Sequence, residues 1–121
     1  MFHGGAASSQ EAYVLVRSAD DGRTWRLVAS ESYFGVNAPH EFDSYSGPWT
    51  IAGAKNAYFV GSCPACGRWT ASLWVTHDGG RTFRRYAVSA LTGDGATLRA
   101  VSVSGATVTI AARGRTATVH A

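Results

Sequence analysis

Charge is scarce in this chain. Asp, Glu, Lys and Arg together make up 16% of its 121 residues, below the roughly 25% usual in a globular domain. Lysine is almost missing: Lys55 stands alone among eleven cations, and the rest are arginines. Against 8 acids they leave a net charge of +3. They are dispersed as Arg17, Arg23, Arg26, Arg68, Arg81, Arg84, Arg85, Arg99, Arg113 and Arg115. A nucleic-acid footprint is denser than that, so solvated strand faces are expected and nucleic-acid binding is not. Long apolar runs are also absent. Nothing approaches the roughly 20 residues a membrane span needs, and the first ten residues lack the basic and apolar regions of a signal peptide. Apolar residues and glycine are plentiful instead, at 45% and 14 residues. That is the profile of one modest globular β domain with a real core, not of a disordered chain.

The chain is organised around an octapeptide that occurs twice. Ser18-Ala19-Asp20-Asp21-Gly22-Arg23-Thr24-Trp25 recurs as Thr76-His77-Asp78-Gly79-Gly80-Arg81-Thr82-Phe83. Both copies carry a hydroxyl residue, then Asp two places on, Gly four on, Thr six on and an aromatic seven on. An Asp entering a turn accepts hydrogen bonds from backbone N–H groups just ahead of it. Asp20 and Asp78 fit that role. Gly22 and Gly80 supply the positive φ of a tight connection. Thr24 and Thr82 restart the extended chain, with hydroxyls able to bond back across the turn. Trp25 and Phe83 are expected to pack inward and anchor the hairpins. The residues surrounding both copies are β-formers.

Residues 1–11 are small and polar and read as a disordered lead-in. Strands are expected over 12–17, 25–29, 49–52, 57–62, 71–76, 83–88, 98–102, 107–112 and 116–120. Residues 30–48 form an unusually long connection, and connections of that length are often functional. There is no convincing helix; 89–96 is the single candidate for one turn.

The octapeptide resembles the Asp-box, or BNR repeat, Ser/Thr-x-Asp-x-Gly-x-Thr-Trp/Phe. The second copy is the closer match, because Asp21 stands where Gly is common. In that family the motif joins the third and fourth strands of a β-propeller blade. It is found in sialidases, sortilin-type receptors, xyloglucan-degrading glycoside hydrolases and photosystem II assembly factors, which share blades and not a reaction. The resemblance implies an all-β partial propeller of antiparallel four-stranded blades: a half blade at 12–29, a full blade at 49–88 and a partial blade at 98–121. A closed propeller has about 4–8 blades, so two and a quarter blades read as a fragment of a longer chain. Its expected partners are the remaining blades or further copies of itself, because its first and last sheets would expose apolar faces.

Two constellations invite chemistry. Cys63-Pro64-Ala65-Cys66 is a redox pair, half a zinc site or a loop-stapling disulfide. It lies between expected strands and has no companion ligands at metal spacing, which favours the staple, with free thiols in a tight turn as the other bland reading. A disulfide points to an extracytoplasmic setting for the full-length protein. His40-Glu41-Phe42-Asp43 is the other. In an extended segment Glu41 and Asp43 share a side, and paired carboxylates are what glycoside hydrolysis needs, although two acids in a polar loop are ordinarily just solvated. The sialidases' Phe/Tyr-Arg-Ile-Pro lead motif is absent from the chain. These readings converge on a non-catalytic Asp-box (BNR/YVTN-like) propeller segment of a bacterial protein. It would act as a scaffold or as a binding module for a protein or carbohydrate, with no cofactor and no metal. The alternatives are a fragment of a sialidase-like glycoside hydrolase and, less favoured, a CxxC redox or zinc protein.

Overall fold

The structure, a computed structural model, describes residues 2–7, 10–31, 40–42, 45–63, 68–92 and 98–121. Within them the chain is all-β. The first sheet contains β1 (Phe2–Ala7), β2 (Gln10–Arg17), β3 (Arg26–Glu31) and β4 (His40–Phe42). The central sheet contains β5 (Tyr45–Ala52), β6 (Asn56–Cys63), β7 (Arg68–Thr76) and β8 (Arg84–Thr92). The last contains β9 (Leu98–Ser104), β10 (Thr107–Ala112) and β11 (Arg115–His120). Neighbours in sequence are neighbours in each sheet, and every pairing is antiparallel except β3 with β4.

The three sheets stack with the central one in the middle and do not close on themselves. Burial on both faces explains why β6 reads as a continuous apolar run rather than an alternation. Tyr58 and Val60 point to the last sheet, where they join Leu73, Val75, Val101, Val108 and Ile110 in the larger core. Phe59 points the other way, into a smaller core with Leu15, Val28 and Ala29, flanked by Trp49, Trp74 and Phe83. Each fully buried Val, Leu or Ile contributes about 1.5–3 kcal/mol, so the larger core dominates stability. Thr50 ties β5 to β9 by donating to the Val101 carbonyl at 2.6 Å. Gly47 permits that approach: a Cβ there would stand 2.9 Å from both the Val60 carbonyl oxygen and Leu98 Cδ1.

Several expectations need correction. Residues 1–11 are not wholly a lead-in: Phe2–Ala7 is a strand paired with β2. Its Gly-rich sequence has weak strand propensity, but β2 offers a free backbone edge, and ladder pairing outweighs propensity. The first segment is thus a four-stranded sheet rather than the pair of strands at 12–29. His40–Phe42, inside the long connection, pairs in parallel with β3. Ser89–Thr92, the start of the candidate helical turn, continues β8. The last sheet does not expose an apolar face. Its inward rows are Val103–Val108–Val119 and Val101–Ile110–Ala117, while its outward rows are Ser104–Thr107–His120 and Ser102–Thr109–Thr118. The alternation holds over Thr107–Ile110 because β10 faces the core on one side only there.

Candidate functional site

Both octapeptides form the same turn. In the first, which joins β2 to β3, the Ser18 hydroxyl donates to Asp20 Oδ1 at 2.8 Å and accepts from the Gly22 N–H at 2.7 Å. Asp20 Oδ1 also accepts from the Thr24 N–H at 2.8 Å, and Oδ2 accepts from the Thr24 hydroxyl at 2.5 Å. In the second, which joins β7 to β8, the corresponding four distances are 2.8, 2.9, 2.9 and 2.6 Å, through Thr76, Asp78, Gly80 and Thr82. Asp78 accepts one bond more, from the Arg81 N–H at 3.0 Å. The glycines at the fifth position have φ of +84° and +83°. The residue before each is left-handed too: Asp21 at +57° and Gly79 at +72°.

This geometry defines what the two carboxylates do. The Thr hydroxyl is the strongest donor to each, followed by the Thr N–H, and both groups are held below the ordinary 3.8. Bonds to an ionised acceptor are short and strong and favour the charged form. A carboxylate held ionised, with its oxygens committed to its own turn, is unsuited to proton transfer. It also has little left to offer a metal. Among the described residues no group of three or more His, Cys, Asp or Glu is placed to hold an ion.

Identical turns meet different surroundings. The second is covered by the first sheet. Gly79 and Gly80 are buried, and the Gly79 N–H donates to the Lys55 carbonyl at 2.9 Å. Arg26 reaches the Gly79 carbonyl at 3.5 Å, and the Arg17 guanidinium lies over Gly79, where a Cβ would come within 2.7 Å of Nη1. Val28 presses on Gly80. A bulge in β3 makes this possible: Leu15 faces Ala29 and Val16 faces Leu27, leaving Val28 as an extra residue. The first turn lies open, with Asp21 to Trp25 exposed. Trp25 therefore departs from the expected inward packing. It is 63% exposed and folds over its own turn, donating from Nε1 to the Gly22 carbonyl at 3.1 Å. Phe83, at the same place in the second copy, packs on the smaller core.

Between the first sheet and the second turn runs a cleft of about 110 Å³. Leu15, Val28, Trp49 and Phe83 form its apolar wall, and Arg17 and Lys55 stand on it, with no acid among the described residues that line it. No spacing signal announces this cleft, since its walls lie up to 68 residues apart, from Leu15 to Phe83. Beside the lining residue Asn56, the exposed His77 shares Nδ1 with Asn56 Oδ1 at 2.8 Å, and its ring makes an edge contact with Tyr58.

The remaining sequence candidates fall only in part within the described residues. Glu41 sits on β4 opposite Ser30 in the parallel ladder, while Asp43 lies outside the described residues. Cys63 is buried and disulfide-bonded; Cys66 lies outside the described residues. Among those residues no helix is long and apolar enough to cross a membrane. Compared with protein-family models, curated proteins and solved structures, the chain matches none.

Proposed function

We propose that the chain is an Asp-box β-propeller segment acting as a non-catalytic scaffold or binding module. One observation carries the reading: two octapeptides 58 residues apart spend their hydroxyl, the Asp at the third position and the glycine on the same local turn, which makes Asp20 and Asp78 turn formers rather than reactive acids. The second copy joins the third and fourth strands of a four-stranded antiparallel sheet, which is where the resemblance puts an Asp-box in a blade. The Cys63 disulfide supports an extracytoplasmic setting.

The test is a panel of fluorogenic sialosides and aryl glycosides. No turnover above background is the expected outcome. Turnover abolished by Glu41→Gln or Asp43→Asn would defeat the scaffold reading and make residues 30–48 an active site of the glycoside hydrolase type.

A further inference from the structure

The cleft beside the second turn has a chemical bias that the turn does not require. Its wall is aliphatic and aromatic, with Ile51, 62% exposed, at the mouth. The charged groups lining it among the described residues are both cations. Arg17 is half-buried, donates one hydrogen bond, to the Ala54 carbonyl at 3.2 Å, and meets no carboxylate among the described residues. A guanidinium carries five N–H donors in a planar fork, so most of its capacity is unspent. Lys55 is exposed, and its ammonium has no partner among the described residues. The neighbouring acid Asp78 makes no ion pair with either cation among the described residues; its oxygens accept from Thr76, Arg81 and Thr82 instead.

A partly desolvated cation without a counter-ion is costly, and an anion that brings its own apolar body removes the cost. The arginine fork matches a carboxylate bidentately, while the wall beneath matches a ring or a branched chain. The cleft, about 110 Å³ and open at its mouth, is smaller than the enclosed apolar cavity of about 150 Å³ that binds benzene, so a ligand's apolar body would enter in part and its remainder would lie at the mouth. We propose that the cleft is a binding site for a small carboxylate with a flat or branched apolar body, of which phenylacetate is the simplest probe. Gly79 is part of the site, since its missing side chain is what seats the Arg17 guanidinium there. The first turn cannot build a second site, because no arginine-bearing strands cover it among the described residues.

The experiment is a titration of the whole 121-residue chain with phenylacetate and with phenylacetamide, read from the backbone amides of Ala54, Gly79 and Gly80 by NMR. Phenylacetate is expected to give saturable shifts at these amides, with a Kd at least about tenfold below that of the neutral amide. Arg17→Gln is expected to weaken binding about tenfold or more. Because Arg17 also braces the turn, Lys55→Glu is the decisive variant: it changes an exposed side chain and is expected to weaken phenylacetate about tenfold while leaving phenylacetamide unchanged. Absence of saturable shifts up to about 10 mM, equal binding of acid and amide, shifts confined to other residues, or indifference to Lys55→Glu would each overturn the proposal.

Discussion

Asp21 and Gly79 hold equivalent places in the two turns and share a left-handed backbone, yet only one of them can change cheaply. An L side chain in this region costs roughly 1–2 kcal/mol, with Asp among the residues that tolerate it best. Asp21 is exposed, so removing its side chain relieves that cost and loses no contact among the described residues. Asp21→Gly is expected to leave stability unchanged or raise it by up to about 1 kcal/mol. Gly79→Ala adds that backbone cost at a φ of +72°, and its methyl group, 2.7 Å from Arg17 Nη1, would make the guanidinium swing aside. A loss of about 1–3 kcal/mol is expected there. Urea midpoints of the two variants decide between them; shifts equal in size and opposite in sign would mean that the cover over the second turn has no energetic weight.

At the scale of the element, each turn is an acid-sensitive clasp. The carboxyls of Asp20 and Asp78 titrate below 3.8 in the folded chain, chiefly because the Thr24 and Thr82 hydroxyls donate to the ionised form. A carboxyl with a depressed folded pKa contributes stability above its unfolded pKa and loses it as pH falls through that value toward the folded one. Stability attributable to the clasps is therefore expected to be flat from about pH 7 to 5 and to decline below about pH 4. Asp78→Asn should be less stable than the parent at neutral pH and show a shallower acid decline. Chemical denaturation across pH tests it, and an acid limb as steep as the parent's would remove Asp78 from the account. The local network also explains how the same element survives in two settings. None of the bonds just described within a turn spans more than four residues, so neither turn needs the cover that only the second receives.

At the scale of the molecule, the two outer sheets are unlike. The last sheet turns Ser and Thr rows outward. The first leaves Trp25 exposed and Val14, Val16 and Leu27 half-buried. A head-to-tail assembly needs two complementary surfaces, whereas one apolar surface matched to itself closes as a two-fold dimer. Self-association is thus expected to stop at the dimer and to weaken in Trp25→Ser. Light scattering across a concentration series gives the ceiling. Growth beyond two copies would show that the polar outer sheet also takes part.

What the amino-acid sequence determined by itself was the all-β class, nine of the eleven described strands in outline, and the two turns. These depend on alternation along single strands and on hydrogen bonds between residues close in sequence. What only the tertiary structure decided was everything that depends on partners far away. β1 became a strand because β2 had an edge to pair, not because His3-Gly4-Gly5 favours one. Trp25 and Phe83 occupy one motif position and separate into an exposed and a packed residue, because the first sheet lies over one turn and nothing described lies over the other. The cleft followed from the same cover: Arg17 reaches it from β2 and Lys55 from the β5–β6 turn, and no spacing rule joins residues whose proximity is set by one sheet packing on another.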